Sequence, residues 1–379
     1  MDFELSQSQQ ELVERVDRLV RERIVPRAES YDKTPEIPTE DLQDLHREGW
    51  LLANLPRKYG GLGYGLEGDD PLAFFLMIEH LAYGNPSTAH CFQVHNNTLM
   101  MLSATATDSQ RERWIEPTVK RAALLPGAGT GPFGAGPTTA QKVNGGFVLN
   151  GLKHYATNAP LAEWIWVASV KVEGEQKPAV FMVRRDTPGV RIDTEVWQPM
   201  GMRACVSPWI YLENCFVPEE DRLDRASQAA PQNWLGKINF AFTANYIGSA
   251  QLIYDWSVKY VRERGQGKDS SRQLRVGEMK SLLDASRLLL YQTVALFKRD
   301  PERAMVMAHE AKWLAKEALM KIMWWAGEIC GSTSLFQKYP LERFFRDMHV
   351  HMLHGYHDTP AQVVGAAELG EPYDVSKTR

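Results

Sequence analysis

Cysteine is scarce, with four in 379 residues, and Cys91, Cys205, Cys215 and Cys330 stand far apart without a C-x-x-C pair. That spacing offers neither a disulfide framework nor a thiolate metal site, and reduced thiols are the expectation. No stretch of about 18 consecutive apolar residues occurs, so a membrane-spanning helix is not expected. The N-terminus, MDFELSQSQQELVERVDRL, is charged from Asp2 onward and lacks the apolar run of a signal peptide. A soluble cytoplasmic protein is the expectation. An excess of one charge is missing too: 43 basic against 47 acidic residues leave a net charge of -4, which disfavours a general grip on nucleic acid. Internal repeats and low-complexity segments are absent. What is present is ordinary globular material, 44% apolar and 24% charged. At roughly 150 residues per domain it suffices for two to three domains with real cores.

Three zones divide the chain. Residues 1–123 read as helical: Leu12, Val16, Leu19 and Val20 recur at the spacing of one buried helix face. A second pattern runs from Thr39 to Ala53 and should stop before Pro56, while Phe74, Phe75, Met77, Ile78, Leu81 and Ala82 read as helix buried on more than one side. Residues 124–225 change to short β-branched and aromatic runs: GFVLNG, EWIWVASVKV, PAVFMVRR, VRIDTEVW and WIYLENCFVP. Turn signals fall at Asn144-Gly145-Gly146 and Asp186-Thr187-Pro188-Gly189. A small all-β domain, a sandwich or open barrel, is expected there. Residues 226–379 return to long helices, where Ala311, Leu314, Ala315, Ala318, Leu319, Ile322, Met323 and Ala326 keep a near-3.6 period, as a four-helix bundle requires. The expected fold class is α+β, in the order helical, β, helical.

The glycine-rich stretch GAGTGPFGAGPTTA, residues 127–140, invites a dinucleotide-fingerprint reading. Pro132 and Pro137 interrupt it, however, and a turn and strand follow where that motif needs a helix. Two readings stand: a backbone loop approaching a planar or anionic cofactor, and a plain surface loop. Tyr155 and Thr157 lie two apart on one strand face, an aromatic beside a hydroxyl that can meet a flavin ring or simply make cross-strand pairs. Arg203 and Ser207 in GMRACVSP are a phosphate contact or a turn before a strand. The segment ERFFRDMHVHMLHGYHDTPAQVV holds His349, His351, His354 and His357, four of ten histidines. On an unbroken helix Asp347, His351, His354 and Asp358 form one stripe. That stripe lacks the Glu-x-x-His pairs of bundle metal sites, Gly355 suggests a break, and Asp358-Thr359-Pro360 reads as a helix start capped by Asp358 or Thr359. No metal is assigned.

Taken in order, the pieces resemble the acyl-CoA dehydrogenase superfamily over nearly the whole chain. GGLGYG resembles that family's loop after the early helices. TGPFGAGPTTA resembles its flavin-binding Thr-Glu-Pro-Gly-x-Gly-Ser stretch, with Gly131 where glutamate is common. LNGLKHYATNAPLAEW is similar to its Asn-Gly-x-Lys-x-Trp-Ile-Thr-Asn motif, and together these imply flavin contacts for Thr130, Gly131, Tyr155 and Thr157. MGMRACVSPWIYLENCFVP resembles the Gly-x-Arg-x-Ser/Thr segment and implies substrate contacts for Arg203 and Ser207. ICGSTSLFQKYPLERFFRD resembles the Gly-Gly-x-Gly, Tyr-Pro, Arg and Arg-Asp elements of the last long helices. It implies that Gly331 and Ser332, with Arg264 of RERGQGK, reach the FAD of a neighbouring subunit. The resemblance implies an N-terminal helical domain, a middle β-sandwich or barrel and a C-terminal four-helix bundle, with flavin between β domain and bundle. It also implies a homo-oligomer, tetramer or dimer.

Departures from the family pattern set the expected chemistry. The dehydrogenases carry a catalytic glutamate eight residues after the aspartate of Arg-Asp; here that position is Gly355, which cannot accept a proton. The alternative position falls near Ile238 and Asn239, again without a carboxylate. A second branch of the fold, flavin-dependent monooxygenases fed by a separate flavin reductase, carries histidine seven and aspartate eleven residues after the aspartate. Arg346-Asp347 leads to His354 and Asp358, which match both. The expectation is therefore a monooxygenase using reduced flavin and O2 on a small aromatic, cyclic or CoA-thioester substrate. His354 would steady a C4a-hydroperoxide or deprotonate a phenol or enol, and Asp358 would fix its tautomer. Glu328 replaces a family glutamine, and RERGQGK lacks the phenylalanine of Arg-x-x-Phe-Gly, so FAD is the first choice with FMN or exchangeable reduced flavin as the alternative. The competing readings are an acyl-CoA dehydrogenase with a displaced base or acting as the base-deficient partner of a heteromer, and a flavin-binding scaffold without turnover.

Overall fold

A capping box opens the first helix: Ser6 accepts from the Gln9 N–H while the Gln9 side chain accepts from the Ser6 N–H, satisfying donors that a first turn leaves orphaned. The computed structural model describes residues 4–223 and 234–377, so the expected boundary at 225/226 lies outside the described residues. From α1 (Gln7–Leu19) a π-helical turn at Val20–Ile24 leads into α2 (Val25–Lys33), and Leu12, Val16, Val20 and Ile24 stay on one buried line. Helix α3 (Thr39–Arg47) ends sooner than the Thr39–Ala53 pattern suggests. Gly49 turns left-handed at φ 75°, and a 3-10 turn at Trp50–Leu52 buries Trp50 and Leu51 without continuing the helix. Helices α4 (Pro71–Gly84) and α5 (Pro86–Thr105) are buried nearly all round, as segments without a polar face must be. Helix α6 (Asp108–Arg121) closes the zone.

The middle zone is one curled seven-stranded sheet built from β1 (Gly127–Ala128), β2 (Thr139–Val143), β3 (Gly146–Lys153), β4 (Trp164–Val172), β5 (Ala179–Arg184), β6 (Val190–Asp193) and β7 (Trp209–Pro218). The order is β1-β4-β2-β3-β7-β6, with β5 on β4. Asn144-Gly145 turns the β2–β3 hairpin, Gly145 supplying φ 81°. The 186–189 turn closes no hairpin, because β5 pairs with β4 and β6 with β7. The glycine-rich loop runs into β2 rather than a helix, which removes the dinucleotide reading. One face of the sheet closes on Phe147, Leu149, Ile165, Val167, Phe181 and Ile210. From β4, Trp164 and Trp166 pack instead with Leu99, Leu102 and Trp114 of α5 and α6.

The last zone holds α7 (Trp234–Glu263), α8 (Ser270–Phe297), α9 (Pro301–Cys330) and the shorter α10 (Leu341–Met352) and α11 (Asp358–Glu368). Its core is not separate from that of the first zone: one set of buried side chains runs from Val16 and Phe75 through Phe240 to Leu319 and Met348. Among the described residues no helix is long and apolar enough to cross a membrane.

Candidate active site

Arg346 and Asp347 bolt α10 to the loop before β7. Arg346 pairs with Asp32 and Glu342, each at 2.7 Å, and donates to the Met200 carbonyl at 2.8 Å. Asp347 accepts the Met202 N–H at 2.6 Å. Burial raises the Asp347 carboxyl to about 6, against the pull of Arg343 and the Met202 hydrogen bond. Gly201 lies so close that a Cβ there would overlap the Arg346 carbonyl. The loop that carries Cys205 and Ser207 is thereby fixed against the middle of α10.

Between this loop, the residues following α10 and the β3–β4 connection lies a cavity of about 540 Å³. It brings together Tyr155, Thr157, Ser207, His351, His354 and Gly355, all singled out in the sequence, and adds His90 and Cys205. Ser207 donates its hydroxyl to the Cys205 carbonyl at 2.8 Å, so Thr157 is the donor in its 2.7 Å contact with Ser207. Tyr155 takes φ 58°, stacks on His154 at 4.0 Å and stays 47% exposed at the mouth. The inner end is a cluster of rings: His90 lies 5.1 Å from His351 and 5.9 Å from His354, and Phe242 lies 4.5 Å from His354. His351 is held well below the ordinary imidazole range, chiefly by burial, with His90, His354, Lys312 and Lys316 adding to it. It is therefore neutral at neutral pH. Among the described residues, no carboxylate lines the cavity, and His90 Nδ1 and His351 Nε2 have no hydrogen-bond partner. Gly355 lines it, with its carbonyl bonded by Lys316 at 3.1 Å, and Asn239 is buried against Lys312 at 2.9 Å.

On the outer side of this cavity the Tyr155 ring stands beside the hydroxyls of Thr157 and Ser207, a donor set whose chemistry suits a planar aromatic cofactor. Thr130 and Gly131 are exposed and outside the lining; the Thr130 carbonyl accepts from the N–H of His154, the residue before Tyr155, at 2.9 Å. Lys153 is buried beneath, donating to the Gly129 carbonyl at 3.2 Å and to the Ser169 carbonyl at 3.4 Å, and burial lowers its pKa to about 8. The loop backbone is thus held in place next to Tyr155. An apolar rim of Tyr155, Val196, Leu353 and Tyr356 faces solvent, the kind of exposed patch that marks a binding groove.

The other residues expected at the site lie elsewhere. Arg203 does not line the cavity; its carbonyl receives the Trp197 indole N–H at 3.1 Å. Asp358 is exposed and outside the lining, and its charge acts on Lys316. The histidine stripe is broken, because α10 ends at Met352, His354 lies in the connection, and His357 rather than Asp358 or Thr359 precedes the first turn of α11. His357 bonds Glu317 and His349 bonds the Phe345 carbonyl, both at 2.7 Å. Arg264, Gly331 and Ser332 gather where the ends of α7 and α9 meet the start of α8, away from the cavity lining. Glu328 there is paired with Arg275 at 3.1 Å, which compensates its charge. Among the described residues no cluster of three or more metal-ligating side chains occurs. The sequence reasoning missed His90, Lys312 and Lys316. A histidine on a helix with no polar face, and two lysines inside the apolar period of residues 311–326, were the available signals.

Models of the acyl-CoA dehydrogenase N-terminal, middle and C-terminal domains match residues 6–122, 126–215 and 240–359. A 3-(aryl)acrylate reductase of Clostridium sporogenes is 29% identical, over 95% of this chain and 98% of its own length. A benzylmalonyl-CoA dehydrogenase of Aromatoleum aromaticum is 28% identical, over 97% of this chain and 100% of its own. The crystal structure of a dibenzothiophene monooxygenase from a Paenibacillus strain superposes with a TM-score of 0.86 at 18% identity, covering 97% of this chain and 99% of that one, a likeness of fold.

Proposed function

The chain belongs to the acyl-CoA dehydrogenase superfamily, and from that premise we propose that it is a flavin-dependent monooxygenase acting on a small aromatic substrate with O2. It is a flavin-dependent oxidoreductase of that fold; the finer reading rests on one observation, a cavity lined by three histidines and, among the described residues, by no carboxylate. Removal of an α-proton from a thioester needs a base of the right reach, and Gly355 and Asn239 supply none. An imidazole suits a different task, holding or accepting the proton of a substrate hydroxyl near neutral pH. His354 is assigned that role. His90 and the neutral His351 frame the same inner end, His351 being kept uncharged by burial, and the apolar Leu353 and Tyr356 at the rim exclude water once a ligand covers them. Thr130, Gly131, Tyr155 and Thr157 would hold the flavin, FAD in first place and FMN in second. When bound in its reduced form, it supplies the electrons that activate dioxygen. A separate reductase would deliver that reduced flavin. The distance of Arg264, Gly331 and Ser332 from the cavity lining fits a homo-oligomer in which they serve a neighbouring subunit.

The test is to mix reduced, flavin-loaded protein with isotopically labelled O2 and a panel of phenols, and to look for label in the product. Hydroxylated product is expected, lost in His354→Ala while flavin stays bound. Unchanged hydroxylation in that variant would remove His354 from the mechanism. A second reading, a dehydrogenase with a displaced or partner-supplied base, is favoured by the activities of the two relatives named above. Bleaching of oxidised flavin by acyl-CoA under argon would establish it instead. Bound flavin with neither reaction would leave a scaffold.

A further inference from the structure

Helix α9 buries two lysines one turn apart, Lys312 and Lys316, each only 2% exposed. Neither lines the cavity, but the charge of both acts on His351 at its inner end. Lys312 donates to the Asn239 side-chain oxygen at 2.9 Å and stands 5.3 Å from the centre of the Phe242 ring, which in turn packs on His354. Lys316 donates to the carbonyl of Gly355, in the cavity wall itself, and makes no ion pair among the described residues. The acidic groups nearby are engaged or outside: Asp358 is exposed, Glu317 is bonded to His357, and Asp347 is bonded to the Met202 N–H. Burying a cation without a compensating anion costs stability unless something gains from it. Burial holds Lys316 below the ordinary lysine range against the opposing pull of Asp358, so a negative charge brought into the cavity would restore what desolvation removes.

We infer that the cavity selects an anionic aromatic substrate, whose charged oxygen, carboxylate or phenolate, lies at the inner end over the Leu353–Tyr356 connection that Lys316 backs. Trp197, Met202 and Tyr356 supply the apolar and aromatic wall for the ring. The inference rests on reading this cavity as the substrate site, and goes beyond it by assigning the charge of the ligand. Calorimetric titration of the flavin-loaded protein under argon, with benzoate, 4-nitrophenolate and the neutral isostere benzamide as probes, tests it without any turnover. The expected result is that one or both anions bind at least about tenfold more tightly than benzamide, with the better anion identifying carboxylate or phenolate as the head group. In Lys316→Met the preference should shrink to within about threefold, and in Lys316→Arg it should persist. Equal affinity for anions and benzamide in the wild-type protein overturns the inference, and so does a preference undiminished in a folded Lys312→Met/Lys316→Met double variant. Should the Met variants fail to fold, the wild-type comparison decides alone. Anion selectivity in a protein that hydroxylates nothing would sink the oxygenase reading and leave this one standing; hydroxylation of neutral substrates without anion preference would do the reverse.

Discussion

His95 has no exposed surface, and both of its ring nitrogens are committed. Nδ1 accepts the Leu125 N–H at 2.9 Å, so Nε2 must carry the proton, which it donates to the Leu51 carbonyl at 2.9 Å. A second proton on Nδ1 would face an N–H, and burial lowers the pKa from 6.5 to about 4. Between those values the unfolded chain binds more protons at this side chain than the folded one. Stability therefore falls as pH drops through the window, by up to about 3 kcal/mol. His95→Gln should be less stable at neutral pH but should show a flatter loss between pH 6.5 and about 4 in urea titrations. Parallel curves for variant and wild type would show that His95 does not titrate in this way. Lys153 offers a second test, since its two carbonyl bonds hold the loop proposed to meet the flavin. Lys153→Met should release flavin about tenfold more readily, the worth of one or two hydrogen bonds, with the sheet still folded by circular dichroism. Unchanged flavin affinity would mean that the loop needs no such support. Tyr155, Thr157 and His354 were legible because they belong to ordered motifs. His90 was not, because α5 carries two buried histidines, His90 and His95, and nothing local shows which of them meets the cavity.

At the scale of elements, the loop preceding β7 owes its place to α10. Asp347→Ala removes the acceptor of the Met202 N–H and leaves that donor buried, a loss of about 1–3 kcal/mol. Asp347→Asn keeps an acceptor oxygen in the same place and should stay near wild type, all the more because the carboxyl it replaces is raised to about 6 and is easily neutralised. Urea unfolding separates the two variants, and flavin or benzoate binding should weaken in Asp347→Ala alone. Equal losses in both would place the role in the charge and not in the hydrogen bond. The sequence showed Arg346-Asp347 as a landmark from which positions could be counted. Its mechanical part was hidden, because Met202 and Asp32 lie 145 and 314 residues away. The same contrast holds through the fold. The β2–β3 hairpin was readable from Asn144-Gly145, whose left-handed preference is local. The partners of β5 and β6 were not, since neither pairs across the 186–189 turn. Helix α3 was overrun to Ala53 because Trp50, Leu51 and Ala53 extend the apolar pattern; the left-handed Gly49 ends the helix, and tertiary packing buries those residues all the same.

Across the whole molecule, the cavity draws His90 from α5, Tyr155 and Ser207 from the β unit and His354 from the end of the bundle, so its shape depends on how these parts are held together. The first and last helical segments share one core, and α4 is the element between them. Glu79 on α4 is buried with both oxygens engaged, by Arg287 at 2.6 Å and by the Tyr291 hydroxyl at 2.9 Å, both from α8. Glu79→Ala would leave the guanidinium with only Gln251 and the half-exposed Asp284, and breaking a buried pair from one side costs about 3 kcal/mol or more. Because α4, α7 and α8 bury their side chains in the same core, that loss should act on all three at once. The β unit has its own interior around Phe147, Phe181 and Ile210, and meets the helices through Trp164 and Trp166. Hydrogen exchange of the variant should therefore quicken together in α4, α7 and α8, with β3 and β7 changing less. Faster exchange confined to α4 would mean that the first segment opens by itself, and that the shared core does not bind the two helical segments into one cooperative unit.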